Sequence, residues 1–288
     1  MKSILTILAI TTLSYTSFAS TPRFDVIYGQ DNRQDVIESQ DSALVELSKS
    51  TAAMISSDNL KTSKGEIRIQ AQTLQERGIC ANERFSKQMA AANCSGFLVA
   101  PNILVTAGHC IKSEKDCKSY NWVFDYKVDF AEQGVVTVPK SSVYTCKRII
   151  SQSLDQTTKD DYAVIELSRK VTNRRPLSFR RKGKIEVGTA LAVIGHPTGL
   201  PTKIADGANV RALQTKFFVA NLDTYGGNSG SAVFNTKTGE VEGILVRGEN
   251  DYVYDYNLGC QISNVCTNDG CRGEDVTYIT NIEALSKL

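Results

Sequence analysis

The 288-residue chain sets 33 Lys and Arg against 31 Asp and Glu, a formal net charge of +2, and 41% of its residues are hydrophobic. It has no polybasic block and no basic stripe interleaved with aromatics, which argues against nucleic acid or an anionic membrane as a partner. The length suffices for one large core or two small ones.

At the N-terminus, Lys2, an apolar run over residues 4–13 and Ser17-Phe18-Ala19 form the pattern of a signal peptide over residues 1–19. The run is too short to span a bilayer, and no later stretch is long and apolar enough to do so. A secreted protein, extracellular or periplasmic and monomeric, is expected. Eight cysteines follow: Cys80, Cys94, Cys110, Cys117, Cys146, Cys260, Cys266 and Cys271. An even count in an exported chain points to disulfides. Zinc competes only at Cys260, Cys266 and Cys271, which lack a CxxC pair and a nearby His, so no metal and no cofactor is expected.

Helical periodicity is confined to residues 42–54 and 282–288. Short segments rich in Val, Ile and Phe, bounded by turn residues, predict strands over 96–100, 103–106, 122–130, 143–150, 162–167, 191–194, 216–220, 231–234 and 241–246. Residues 168–183 are polar and charged, as expected of a linker. The fold class is all-β, an antiparallel sandwich or barrel.

Only two histidines are present. His109 follows two predicted strands and a Thr-Ala-Gly turn, bracketed by Cys94 and Cys110. An imidazole used as a base needs a carboxylate to hold its tautomer, and Asp161 opens a strand, Asp161-Tyr-Ala-Val-Ile-Glu-Leu167. Asp160 is the adjacent rival. Gly226-Gly-Asn-Ser229-Gly-Ser-Ala-Val-Phe234 sets a serine in a tight glycine turn before a strand. Such a turn lets successive N–H groups converge on one point.

The three motifs, in His-Asp-Ser order, resemble those of the trypsin-like (chymotrypsin-type) serine proteases. The resemblance implies two antiparallel six-stranded β-barrels with a short C-terminal helix, and a serine endopeptidase acting on proteins or peptides. His109, Asp161 and Ser229 would be catalytic, the amides of Gly227 and Ser229 the oxyanion hole, and Cys94–Cys110 a disulfide. The other six cysteines allow fifteen pairings. The expected division is a signal peptide (1–19), a short propeptide (20–25), an N-terminal segment (26–93), a first barrel (94–170) and a second (171–288).

Within the family, Val26-Ile-Tyr-Gly-Gln-Asp-Asn-Arg33 and the Gly-Asn-Ser-Gly-Ser motif resemble bacterial glutamyl endopeptidases, with Val26 as the mature start. Asn228 stands where zymogen-activated members carry an Asp, so the amine-to-Asp switch is not expected. Asp223 lies at the spacing of an acid that binds a basic P1 residue, and Thr224 at that of a glutamyl-enzyme hydroxyl. Leu245 occupies the place of the histidine those enzymes need. Arg247 falls near the pocket wall, where it would bind an acidic P1 or neutralise Asp223. The reading adopted is a basic P1. A catalytically silent binding protein on the same fold, or a toxin of restricted specificity, is the alternative. His196 is expected on an exposed loop, and the acidic run 249–255 to be a solvated loop rather than a calcium site.

Overall fold

The computed structural model describes residues 27–130, 134–248 and 250–288. The expected signal peptide, propeptide and start at Val26 lie outside the described residues, as does Glu249 of the acidic run.

Two closed antiparallel barrels carry the chain. The first contains β1 (Thr51–Ser56), β2 (Ala92–Ala100), β3 (Ile103–Thr106), β4 (Tyr120–Phe124), β5 (Val143–Leu154) and β6 (Asp161–Leu167). Their order around the barrel is β5-β6-β3-β2-β1-β4, closing on β5. The second contains β7 (Ala190–Gly195), β8 (Lys203–Leu213), β9 (Phe217–Ala220), β10 (Ala232–Asn235), β11 (Val241–Arg247) and β12 (Glu274–Tyr278). It runs β7-β10-β11-β12-β9-β8 and closes through β8 on β7. Closure removes the open edges that an all-β chain must otherwise protect.

The segment before Cys94 is part of this architecture. It supplies β1 to the first barrel, and Arg33–Asp35 pairs with Lys203–Ala205 at the start of β8. The helix expected over 42–54 is correspondingly shorter. Asp41 caps it by accepting the amides of Ala43 (2.8 Å) and Leu44 (3.0 Å), and it ends at Ser48. Thr51–Ser56 is then a strand with five of six residues buried, because pairing with β2 on one edge and β4 on the other outweighs local periodicity. The strand expected over 122–130 stops at Phe124, where Asp125 takes φ +63°. At the C-terminus, Glu283–Lys287 is a 3-10 turn.

Phe97, Trp122 and Phe124 are fully buried in the first barrel, and Phe218, Leu222 and Val233 in the second. Each such side chain stabilises the fold by roughly 1.5–3 kcal/mol. One apolar cluster runs from Phe97 and Trp122 through Ala192, Ile194, Phe234 and Ile244, so the barrels share packed surface. All eight cysteines are paired, as Cys80–Cys260, Cys94–Cys110, Cys117–Cys146 and Cys266–Cys271.

Lys203 and Asp35 are fully buried partners, and Gln88 bonds to both: Lys203 Nζ donates to Gln88 Oε1 (2.7 Å), and Gln88 Nε2 donates to Asp35 Oδ2 (2.8 Å). This network locks the N-terminal segment to the second barrel. His196, expected on an exposed loop, is wholly buried instead. It stacks on Tyr126 with ring centroids 5.6 Å apart, and its Nδ1 lies 3.0 Å from the Leu200 carbonyl. Burial pushes its pKa down to about 3.

Candidate active site

His109 lies in the turn that leaves β3, and Asp161 is the first residue of β6, which pairs with β3. That pairing brings the two together. His109 Nδ1 lies 2.9 Å from Asp161 Oδ2, and the His109 amide donates to Asp161 Oδ1 at 3.0 Å. Asp161 is buried while the His109 side chain keeps 31% exposure, so one ring edge is held and the other remains open. The rival Asp160 is engaged elsewhere, by Lys216 Nζ (2.9 Å) and Asn281 Nδ2 (2.8 Å).

Ser229 belongs to the loop before β10, which docks on the first barrel through Ser95 of β2. The Ser95 amide donates to the Ser229 carbonyl (2.8 Å), and Ser95 Oγ donates to the Gly227 carbonyl (2.8 Å). Cys110 Sγ, next to His109 in sequence, lies 3.7 Å from the Ser229 carbonyl oxygen. The close approach needs glycine. Gly227 (φ +96°) and Gly230 (φ +91°) are left-handed; a Cβ on Gly227 would lie 2.6 Å from the His196 carbonyl, and one on Gly230 2.1 Å from the Ser95 carbonyl.

The loop amides divide into two sets. Asn228 N donates to Tyr225 O, Gly230 N to Leu245 O and Ser231 N to Asn228 O. Among the described residues, the amides of Gly227 and Ser229 donate to no acceptor within the chain, which is the pair an oxyanion hole requires. Asn228 itself is buried, its Oδ1 accepting from Ser231 Oγ at 3.1 Å.

A cavity of about 250 Å³ opens beside Ser229, lined by Thr224, Leu245, Arg247, Gly248, Asp251 and Glu274, among others. Thr224 and Arg247, both anticipated from sequence, line it. Asp223 does not. Its two carboxylate oxygens accept the amides of Tyr28 (2.7 Å) and Asn32 (2.8 Å), so it holds the N-terminal segment rather than a substrate side chain. Burial raises its pKa to about 6.

The acids that do face the cavity are Glu274 and Asp251. Thr224 Oγ1 donates to Glu274 Oε2 (2.8 Å), and the Gly226 amide donates to Asp251 Oδ2 (2.7 Å). Burial raises Asp251 to about 6 as well. Sequence reasoning missed both. Asp251 sits in the acidic run read as a solvated loop, and Glu274 heads the last strand with no local pattern to mark it.

Arg247 has three partners besides the cavity. Its Nε donates to Asp275 Oδ2 (3.1 Å), its Nη2 to the Lys159 carbonyl (3.1 Å), and its Nη1 lies 3.5 Å from Asp161 Oδ2. The guanidinium is thus aimed at the carboxylates of Asp161 and Asp275; Asp223, one of the two partners expected for it (the other being an acidic P1 residue), is held by the N-terminal amides instead. Cys94, His109 and Cys110 put potential metal-ligand atoms close together, but both sulfurs are consumed in the disulfide, so the cluster offers no thiolate.

Residues 94–244 match the family described as the trypsin-like peptidase domain. An extracellular metalloprotease of Bacillus subtilis is 28% identical over 192 residues, covering 63% of this chain and 58% of that protein. A glutamyl endopeptidase of Bacillus licheniformis is 29% identical over 146 residues, covering 49% of this chain and 45% of that protein. The chain therefore spans about half the length of these curated relatives. Among solved structures, a Glu endopeptidase in complex with MPD superposes with a TM-score of 0.52 at 17% identity, over 91% of this chain and 100% of the other. The VesB protease of Vibrio cholerae gives 0.54 at 14% identity, over 88% and 65%. At such identities the likeness to these structures is one of fold.

Proposed function

Because the chain belongs to the trypsin-like peptidase family, we propose that it is a secreted serine endopeptidase using His109, Asp161 and Ser229. The observation that carries this reading is the His109–Asp161 pair, 2.9 Å apart, beside a serine turn whose backbone is tied to the same barrel by Ser95. In the reaction His109 Nε2 takes the proton of Ser229 Oγ as that oxygen attacks the scissile carbonyl. The oxyanion accepts from the Gly227 and Ser229 amides. His109 then gives the proton to the leaving amine, and water repeats the sequence to free the acyl group. Asp161 keeps the imidazole in the tautomer with its free nitrogen toward serine and stabilises the imidazolium.

The substrate preference follows from the cavity beside Ser229. Two carboxylates, Glu274 and Asp251, line it, and its single arginine is turned to Asp161 and Asp275. A basic P1 side chain is the complement of that lining, since an unmatched charge in a desolvated pocket is strongly disfavoured. The preference first attached to Asp223 is thereby moved to Glu274, with Thr224 orienting its carboxylate. Four disulfides accord with an oxidising compartment outside the cytoplasm.

A fluorophosphonate probe tests the chemistry: labelling of the purified protein that disappears in Ser229→Ala is expected. An unlabelled, folded protein would favour the silent binding alternative. Fluorogenic peptides differing only at P1 test the pocket, with Arg and Lys expected above Leu and Glu.

A further inference from the structure

We propose that Arg247 is a positioning residue for catalysis, which sets the orientation and charge environment of Asp161 rather than binding substrate. The inference rests on the triad assigned above. Asp161 has every oxygen engaged: Oδ1 accepts the His109 amide, and Oδ2 meets both His109 Nδ1 (2.9 Å) and Arg247 Nη1 (3.5 Å). Arg247 is itself fixed by three other contacts. Asp275 holds Nε, the Lys159 carbonyl holds Nη2, and the Phe217 ring centroid lies 5.5 Å from the guanidinium carbon. Held in this way, Nη1 faces the one carboxylate oxygen that orients the imidazole.

The arginine has two physical consequences. A buried carboxylate facing a neutral imidazole lacks a counter-charge in the resting state, and Arg247 supplies one from β11. The same cation lies near the charge that develops on the His109 imidazole during the reaction, so removing it changes the field at the pair. The other charges around the pair are Asp275 on β12, with Arg272 bonded to it, and Lys159 and Asp160 just before β6. Lys216 neutralises Asp160, and Asp275 sits between Arg247 and Arg272. Replacing Arg247 by a neutral residue therefore changes the charge nearest to Asp161 and leaves the remaining pairs in place.

The test compares the pH dependence of kcat/KM for wild type, Arg247→Gln, Arg247→Lys and Arg272→Gln, normalised to fluorophosphonate-titrated sites. In Arg247→Gln the acid limb is expected to move, and kcat to fall about ten-fold with KM changed less than about three-fold. Arg247→Lys keeps the charge and should retain most of the limb position; Arg272→Gln, one residue further out, should move it less. NMR titration of the two histidines in untagged protein reads His109 without turnover, because His196 is buried and pushed down to about 3. A rise in KM alone would make Arg247 a substrate ligand and overturn the proposal. So would an unmoved limb and an unmoved His109 titration in Arg247→Gln. A wild type that neither labels nor cleaves would instead overturn the triad assignment, and the titration would still report on Arg247.

Discussion

The carboxylate of Asp223 accepts the backbone amide of Tyr28 at 2.7 Å, joining the loop six residues before Ser229 to the first described strand of the chain. With the Asn32 amide on its other oxygen, this acid clamps the N-terminal segment against the nucleophile loop. Arg33 reinforces the junction, its guanidinium carbon 4.1 Å from the Tyr225 ring centroid. The loop that carries Ser229 is therefore buttressed without an aspartate at position 228.

This clamp gives stability a pH signature. Asp223 holds its proton to about pH 6 when folded, against an ordinary value of 3.8. Between those values the folded state binds more protons than the unfolded chain, so stability falls as pH rises through the window and is level above it. The contribution is about 3 kcal/mol at most, and Asp251 acts in the same direction. Thermal melts of wild type and Asp223→Asn from pH 4 to 7 check this. The variant should lose part of the slope, while its baseline drops by about 1 kcal/mol because Asn accepts only one of the two amides. Parallel curves would refute the assignment.

Glu274→Gln keeps an oxygen for the Thr224 hydroxyl and removes the charge. Turnover of peptides with Arg or Lys at P1 should fall about a hundred-fold in kcat/KM, with Leu substrates nearly unchanged. Equal losses on both substrate types would mean that Glu274 supports the pocket wall instead of reading the P1 charge.

Gly227→Ala would place a methyl 2.6 Å from the His196 carbonyl and 2.7 Å from the Gly199 amide nitrogen. The loop must shift, and one oxyanion donor with it, so kcat should drop by roughly a hundred-fold or more. Circular dichroism and the yield of soluble protein separate this from global unfolding. A variant with near wild-type kcat would count against Gly227 as a donor.

Lys203→Met leaves Asp35 buried without its cation and should destabilise the protein by about 3–5 kcal/mol. Urea unfolding measures it. Pairing the change with Asp35→Leu should recover much of the loss, since two apolar groups leave no orphaned charge.

Local chemistry made much of this protein legible in its sequence. A glycine turn around Ser229, an acid heading an apolar strand at Asp161, and a histidine between two cysteines each announce themselves within ten to twenty residues. Alternation and short apolar runs likewise marked nine strand positions, because inward-facing residues of a barrel must be apolar. The strand Thr51–Ser56 was hidden, since its partners β2 and β4 lie far along the chain and its own pattern resembles a helix. Tertiary structure alone decided where each charge points. Asp223 and Glu274 are both acids near the serine loop, yet one turns to the amides of Tyr28 and Asn32 and the other to the cavity. Arg247 was visible beside the pocket; its approach to Asp161 depends on β11 passing β6 across the junction of the two barrels, a contact no linear spacing encodes.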